Sequence, residues 1–204
     1  HSEVGGSGID ATTIVMKVDG VTVSHDYSVP PTVSFTPVGL SEGTHTVTVD
    51  VKDVAGNAAT QASWTFKVDT VKPTLSGTPL GWANVIKPNV VITAVEATSG
   101  IDTTNAASTV FTLSNGGPVA GTGAWDPTGL VYTFVPTGDL NETSTYTATM
   151  DAKDNAGNSA TQLTWTFGVD VTKPTIDNLA PANDTWVTTA TPTISAQVHS
   201  EAGG

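Results

Sequence analysis

The chain has 204 residues, with 7 basic residues, all Lys, against 19 acidic ones and a formal net charge of -12. Such a chain has no cationic face for phosphates, which argues against nucleic acid as a partner. It contains no Cys, which excludes disulfide frameworks and thiolate metal sites. No apolar run approaches the roughly 20 residues of a spanning helix, so we expect no membrane insertion in this segment.

Strands are predicted at several places along the chain by the alternation of apolar and polar residues. Residues 45–51 and 64–68 alternate in this way, and residues 90–95 form a further β-branched segment. Residues 146–152 and 165–169 repeat the first two patterns. A period of two puts every second side chain on one face of a strand. Short strands separated by Gly, Pro, Asn and Asp clusters, with no helical stripe, predict an all-β antiparallel sandwich.

The sequence repeats itself with a period of about 101 residues. Residues 50–74 read DVKDVAGNAATQASWTFKVDTVKPT, and residues 151–175 read DAKDNAGNSATQLTWTFGVDVTKPT. Upstream, Ser-Gly-Ile-Asp occurs at residues 7–10 and again at residues 99–102. A period near 100 residues is the size of one domain rather than of a solenoid repeat. At this size, tandem immunoglobulin-like sandwiches are the predicted architecture.

The repeat predicts three segments that differ in completeness. Residues 73–174 form a complete Ig-like module, whereas residues 1–72 lack its first two strands. Residues 175–204 are predicted to be the first two strands of a following module. The segment His-Ser-Glu-Val-Gly-Gly at residues 1–6 recurs almost unchanged at residues 199–204, so both segments fall at the same point of the repeat.

Residues 1–72 are therefore expected to expose part of their core. The residues expected to be uncovered are Ile14, Met16, Val47 and Trp64. Burying a large apolar side chain contributes roughly 1.5 to 3 kcal/mol, so this face needs a cover. We expect the cover to be residues 175–204 of a neighbouring copy, added head to tail as strands. The apolar side chains expected to fill the face are Ile176, Leu179, Trp186, Ile194 and Val198.

Two organisations are compatible with this contact. In the first, separate subunits exchange strands and build a fibre. In the second, one long chain carries a double-domain repeat of about 198 residues, and the contact joins successive repeats. In both cases the contact is heterologous, so it continues as an open row of modules rather than closing a dimer.

Several short motifs recur in a fixed order in this chain. They are Ser-Gly-Ile-Asp, Phe-x-Pro, Asp-x-Ala-Gly-Asn, Trp-x-Phe-x-Val-Asp and Lys-Pro-Thr. This combination resembles the Ig-like modules of bacterial and archaeal surface-layer proteins and of giant repetitive adhesins, and the resemblance covers essentially the whole chain. Residues 73–174, with Val110-Phe-Thr-Leu and Gly116-Gly-Pro-Val-Ala-Gly, are most similar to the surface-layer type.

The resemblance implies an extracellular or cell-surface protein whose work is mechanical rather than enzymatic. A rod, a filament or a surface lattice built from copies of itself is the expected function. The alternative from another class is a carbohydrate-binding module, either an adhesin that contacts cell-surface glycans or an accessory domain of a secreted glycosidase.

Acidic residues cluster where modules are expected to meet. In an Ig-like sandwich the BC and FG loops lie at the end where the chain enters, beside the linker from the preceding domain. Carboxylate, amide and carbonyl oxygens are the ligands that Ca²⁺ takes in proteins. The sequence therefore predicts a calcium ion at each junction, which would stiffen the rod. The ligands expected at the first junction are Asp69, Glu96, Asp102, Asp154 and Asn158, and those at the second are Asp170, Glu201, Asp10, Asp53 and Asn57.

The same acids also have a purely structural interpretation. Asp-x-Ala-Gly-Asn, at residues 53–57 and 154–158, is a good hairpin turn, in which Asp caps backbone amides and Gly accepts a positive φ. Asp69 and Asp170 can simply end a strand before each linker. At the level of the sequence both interpretations remain open.

Aromatic residues divide into core and surface candidates. Periodicity predicts that Trp64 and Trp165 are core residues. Tyr146 is at the position of a tyrosine corner near the start of strand F, and His45 occupies its slot in the first repeat. The remaining indoles are expected either to stack on sugars, as an exposed coplanar pair, or to be buried at module junctions. These are Trp82, Trp125 and Trp186.

Other chemistry is weakly represented. Asn141 and Asn183 begin Asn-x-Thr sequons and are the candidate glycosylation sites. The 4 His show no metal-ligand spacing. No Ser is expected to share a rim with His and Asp partners, so we expect no enzymatic activity.

Overall fold

The computed structural model describes residues 6–200 and divides between Val71 and Lys72 into two units. The described residues form strands joined by turns and irregular segments, and their helical content is a single three-residue 3-10 helix at Ala106–Ser108. This confirms the predicted all-β fold class. None of the described segments is a helix long and apolar enough to span a membrane.

The described residues of unit one form one antiparallel sheet. Its strands are β1 (Ile9–Val18), β2 (Val21–Thr22), β3 (Gly43–Asp53) and β4 (Ala62–Val68). They lie in the order β2-β1-β3-β4, with His45 opposite Phe66 and Val47 opposite Trp64. Residues 23–42 add no further strand to this sheet, and their ladder pairing in the described structure is one isolated bridge between Asp26 and Ser34.

The sheet of unit one is better covered than the sequence suggests. We expected Ile14, Met16 and Val47 to be uncovered, but they are only 7%, 6% and 6% exposed. That expectation was wrong because the stretch containing Val33 and Phe35, although it forms no strand, lies over their face of the sheet. Trp64, in contrast, is 48% exposed as expected.

Unit two contains a complete two-sheet sandwich. Its strands are β5 (Thr74–Thr78), β6 (Gly81–Ala83), β7 (Val90–Val95), β8 (Thr109–Ser114), β9 (Gly121–Trp125), β10 (Val131–Pro136), β11 (Thr145–Ala152) and β12 (Leu163–Val169). One sheet has the order β5-β7-β10-β9 and the other the order β6-β12-β11-β8. All neighbours are antiparallel except β6 and β12, which are parallel.

Inward-facing residues of both sheets form the core of this sandwich. Val90 and Ile92 of β7 pack with Phe134 of β10, with Met150 of β11 and with Phe167 of β12. Phe167 is 1% exposed, and Val90, Ile92 and Met150 are all 0% exposed. The alternation of β-branched and aromatic residues with Thr along these strands produces this two-sided burial.

Tyr146 forms the predicted corner. Its hydroxyl accepts a hydrogen bond from the backbone N–H of Asn141 at 2.6 Å, and its ring stacks on Phe167 with the centroids 5.7 Å apart. The corner fixes the loop before β11 against the core, as the position of Tyr146 in the repeat indicated.

Residues 175–200 form a separate two-stranded sheet. Its strands are β13 (Thr175–Ala180) and β14 (Ser195–His199), which pair antiparallel with Ile176 opposite Val198. All residues of both strands are exposed. The assignment of this hairpin to a following module stays a prediction.

Candidate functional site

An open groove runs along unit one. It consists of two adjoining cavities of about 300 Å³ and 140 Å³ that share Val33 as a lining residue. Their walls carry no charged side chain. The larger cavity is lined mainly by Met16, Val33, Phe35, Leu40, Val47, Trp64 and Phe66, and the smaller one mainly by Ile9, Ile14, Tyr27, Val33, Val49 and Val51. The groove is therefore an apolar surface of the kind that strands cover in a complete sandwich.

Equivalent residues in the two units show what is missing over the groove. Phe66 is 37% exposed, whereas Phe167, at the same position of the repeat, is 1% exposed. In unit two the indole of Trp165 lies on the backbone of β5, since a side-chain carbon built at Gly77 would be 2.6 Å from the ring. The indole Nε1 also donates a hydrogen bond to the carbonyl of Pro79 at 3.1 Å. Trp64 has no such cover among the described residues of unit one.

The backbone at the rim of the groove also presents an open edge. Ser34 exchanges two backbone hydrogen bonds with Asp26, at 2.7 and 2.9 Å. In an extended segment the neighbouring residues direct their N–H and C=O groups to the opposite side. Within the part of the chain that the structure describes, Val33 and Phe35 make no backbone hydrogen bond on that side. The equivalent strand β10 pairs there with β7.

The hairpin of β13 and β14 repeats the pairing of β5 with β7. Thr175 lies opposite His199 as Thr74 lies opposite Val95, and the next two pairs follow the same register. A bulge then adds one residue to β13, so that Ala180 lies opposite Ser195 as Thr78 lies opposite Val91.

The hairpin exposes its apolar side chains, and two of them, Ile194 and Val198, have counterparts in unit two that are buried, since Val90 and Ala94 are 0% and 2% exposed. The exposed fractions of the hairpin side chains are 65% for Ile176, 60% for Leu179, 101% for Trp186, 82% for Ile194 and 73% for Val198.

A hydrogen-bonded pair, His45 and Asp19, lies next to the aromatic wall of the groove. His45 is 3% exposed, and its Nδ1 and Nε2 lie 2.6 Å from Oδ2 of Asp19 and 2.8 Å from the carbonyl of Ser41. Both partners accept hydrogen bonds, so the ring satisfies them together only when it carries two protons. The bond with Asp19 is the main cause that raises the pKa of His45, and the same bond lowers the pKa of Asp19. The ring centroid lies 5.5 Å from that of Phe66.

Two family models match the chain. Both are described as a bacterial Ig-like domain, and they cover residues 4–70 and residues 69–169. The chain belongs to the bacterial Ig-like domains. This confirms the resemblance between the sequence motifs and the Ig-like modules of bacterial surface proteins. Bacterial Ig-like domains are typically extracellular or surface-exposed and generally non-catalytic.

Solved structures similar to these Ig-like modules share little sequence with them. The fibronectin(III)-like modules of Clostridium thermocellum CbhA are 14% identical at a TM-score of 0.38, over 78% of this chain and 77% of that one. The SGBP-B protein of the Bacteroides ovatus mixed-linkage glucan utilization locus, solved with a mixed-linkage heptasaccharide, is 18% identical at a TM-score of 0.27, over 83% of this chain and 41% of that one. Extracellular domains 3–5 of Drosophila OTK are 14% identical at a TM-score of 0.24, over 82% and 57%. The search of curated proteins gave no match.

The acidic residues predicted to bind calcium in the second Ig-like module lie on neighbouring loops. The backbone N–H of Asp102 donates to the carbonyl of Lys153, and that of Asn155 donates to the carbonyl of Gly100, each at 2.9 Å. The Asp102 carboxylate accepts hydrogen bonds from the Ser108 hydroxyl, from Thr104 and from the backbone N–H of Asn105, which lower its pKa to about 2. The Glu96 carboxylate accepts from the backbone N–H groups of Thr98 and Gly100.

The hairpin turns have the structural role that the alternative interpretation gave them. The carboxylates of Asp53 and Asp154 accept from both the backbone and the side-chain N–H groups of Asn57 and Asn158, at 2.7 to 2.8 Å. Gly157 adopts a φ of 96°, as such a turn requires.

The remaining predicted ligands also cap short turns. Asp69 and Asp170 accept from backbone N–H groups two residues ahead, and Asp10 does the same with Thr12. Glu201 lies outside the described residues. Among residues 6–200, no three His, Asp or Glu side chains come close enough to form a metal-binding group. The calcium sites stay a prediction.

The three candidate sugar-binding indoles are dispersed over different environments. Trp125 lies on β9, edge-on to Tyr132 with the centroids 5.4 Å apart, and donates to the Thr109 hydroxyl. Trp82 lies on β6 and is 64% exposed, and Trp186 is fully exposed. The ring contacts of the described residues include none between two indoles. Sugar binding by these indoles stays a prediction.

The two sequons are accessible. Asn141 and Asn183 are both exposed, so nothing in the fold hinders modification, and glycosylation stays a prediction.

The groove residues Val33, Phe35 and Phe66 were not singled out from the sequence as a site. The signal was present, since Phe35-Thr-Pro repeats Phe134-Val-Pro of the complete module.

Proposed function

We propose that the hairpin of one copy, residues 175–200, occupies the open groove of the next copy, so that the protein forms an extracellular rod, filament or surface lattice. The contact is the same whether the copies are separate chains or successive repeats of one chain. The observation that carries the proposal is the shared register of β13–β14 and β5–β7. The second module covers its own equivalent of the groove with a pair of this register.

The complete module also supplies the expected pairing across the contact. In unit two, Phe134 of β10 lies opposite Val90 of β7. Phe35 occupies the position of Phe134 in the repeat and lines the rim of the groove. Ile194 stands two residues after Pro192, as Val90 stands two residues after Pro88. The proposed contact therefore places Ile194 opposite Phe35, with both side chains in the groove.

The magnitudes are sufficient for association. Burying four large apolar side chains of the hairpin, Ile176, Leu179, Ile194 and Val198, contributes about 6 to 12 kcal/mol in total. Loss of translational and rotational freedom costs about 4 to 15 kcal/mol, so apolar burial alone only balances it. Backbone bonds along the open edge of Val33 and Phe35 would add about 0.5 to 1.5 kcal/mol each. Both strand pairing and side-chain burial are needed, as in other strand-addition complexes.

A cysteine pair tests this contact, because the chain has no Cys of its own. Thr133 lies opposite Val91 in unit two, and Ser34 and Ser195 stand at the equivalent positions. Directly opposed residues in antiparallel strands have Cα atoms about 4.5 to 5.5 Å apart, within the range of a disulfide. We expect the double variant Ser34→Cys/Ser195→Cys, after mild oxidation, to give a ladder of multiples of 20.8 kDa in denaturing electrophoresis.

Matched variants make the result specific for register and direction. Each single cysteine variant can give at most a dimer. The pair Ser34→Cys/Ala196→Cys, with one cysteine on the opposite face of β14, should crosslink far more slowly. A compact monomer band from Ser34→Cys/Ser195→Cys would mean that the hairpin enters its own groove, and unlinked chains would mean that it enters none. Either result would contradict head-to-tail assembly.

Calcium at the ends of the modules remains part of the proposal. It is supported by the hydrogen-bonded contact between the loop of Asp102 and the turn of Asp154, which puts two carboxylate loops side by side. A site of roughly 1 mM affinity gains about 1.4 kcal/mol at tenfold excess of ion, which should raise one melting transition by roughly 5 °C. Scanning calorimetry of the parent and of Asp102→Asn, with calcium and with magnesium, measures this. An unchanged transition of the parent in about 10 mM calcium removes the ion from the proposal.

A further inference from the structure

The second edge of the complete module shows how the chain after β5 is used. After β5, the chain crosses to the other sheet, where β6 pairs in parallel with the edge strand β12. Trp82 lies opposite Gly168 in this pairing. A side-chain carbon built at Gly168 would lie 2.4 Å from the indole, so the ring rests directly on the β12 backbone. The first strands of this module therefore close both sheets.

Among the described residues of unit one, none pairs with the equivalent edge. Strand β4, the counterpart of β12, ends the order β2-β1-β3-β4. Residues 182–188 follow β13 as β6 follows β5, and they carry Trp186 six residues before Pro192, as Trp82 stands six residues before Pro88. The Trp186 side chain is 101% exposed. Indoles are highly buried on average, so full exposure is typical of one that becomes buried in an interface.

One residue differs between the two edges. Lys67 stands where unit two has Gly168, and it is exposed on the outer face of β4. An indole cannot rest on the backbone at a residue with a side chain. It can lie along the aliphatic stem of a lysine with the ammonium group over its face, a cation–π contact that favours Trp among the aromatic residues.

We propose that the segment Thr185–Val187 of one copy adds to the free edge of β4 of the next copy in parallel register, with the indole of Trp186 on Lys67. This rests on the proposed head-to-tail contact and extends it from one sheet to both. The partner is a second copy of this chain, and Trp186 is the anchor that holds the hairpin to the second sheet. The contact has the character of an interface hot spot, an aromatic side chain paired with a cationic one.

A double-mutant cycle in the full chain tests this second contact. Trp186→Ala removes no contact within the chain, because the side chain is fully exposed, so the variant should fold normally. We expect it to weaken association about tenfold in sedimentation equilibrium. Lys67→Met, which keeps the stem and removes the charge, should weaken association of the parent about threefold and have no effect in the Trp186→Ala background.

A spectroscopic measurement accompanies the cycle. The difference between the emission of assembled parent and assembled Trp186→Ala reports the environment of Trp186, and we expect a blue-shifted, acrylamide-protected component. An unchanged association constant for Trp186→Ala, or equal effects of Lys67→Met in both backgrounds, would overturn the contact with β4. If the ladder of Ser34→Cys/Ser195→Cys still forms in that case, the groove contact stands alone. If Ser34→Cys/Ser195→Cys, with no other substitution, gives no ladder, the groove contact itself is contradicted.

Discussion

Replacing Phe167 with alanine should lower the free energy of unfolding of unit two by about 3 to 5 kcal/mol. The ring is 1% exposed and packs against Tyr146 and the other core residues of both sheets. Its removal loses the transfer free energy of an aromatic ring and leaves a cavity between sheets that cannot close up. In scanning calorimetry of the full chain, one transition should fall by roughly 12 °C or more.

The repeat provides the matched control for this substitution. Phe66 stands at the same position of unit one but is 37% exposed. Phe66→Ala should therefore cost only about 1 to 2 kcal/mol in the unassembled chain and shift the other transition. Once a hairpin covers the groove, the same ring is buried, so Phe66→Ala should also weaken association about tenfold.

The comparison of the two alanine variants reports directly on the cover of each unit. Equal losses of stability in the unassembled chain would mean that Phe66 is already buried, and that unit one has no open groove. A large effect of Phe66→Ala that appears only at assembling concentrations is the expected pattern. The concentration dependence of the transition of unit one measures it, since ligand binding to a folded state raises its melting temperature.

The fold was predictable because the period-two alternation occurs at the same positions in both copies of the repeat. Residues 45–51 and 146–152 alternate without exception, and β3 and β11 form there. The parallel pairing of β6 was not predictable, since it depends on three residues and on a glycine that admits an indole. The cover over Ile14 and Met16 was missed for a similar reason. It is made by a stretch without regular pairing, which leaves no periodic signal.

The candidate site was only partly predictable. The apolar residues of the hairpin could be identified from their repeat positions, and Ile194 and Trp186 are 82% and 101% exposed in the chain itself. The groove needed the structure, because Val33 and Phe35 act together with Trp64 across the sheet. The acids had two interpretations in the sequence. In the structure, each predicted acidic ligand within residues 6–200 accepts hydrogen bonds from the backbone N–H groups of a turn. This capping role is compatible both with a bound ion and with its absence.

Replacing Ile194 with aspartate should abolish assembly, with at least a thousandfold loss of affinity. The side chain is 82% exposed in the chain itself, so no folded contact is lost and circular dichroism should be unchanged. Its counterpart Val90 is 0% exposed in the core of unit two. In the proposed contact the carboxylate would enter a groove with no charged lining residue, and a buried, unpaired charge costs several kcal/mol. Sedimentation velocity and electron microscopy of the full chain measure the loss.

The adjacent residue of the hairpin provides the control. Ser195→Asp adds the same charge on the opposite face of the strand, and should leave assembly within about threefold of the parent. The Ile194→Asp chain keeps an intact groove, so it should still accept a hairpin and stop growth at that end. Small amounts mixed into the parent should therefore shorten its filaments in proportion to the amount added. Normal filaments of Ile194→Asp alone would show that the hairpin does not fill the groove. Equal loss with Ser195→Asp would show that charge, and not the face of β14, decides assembly.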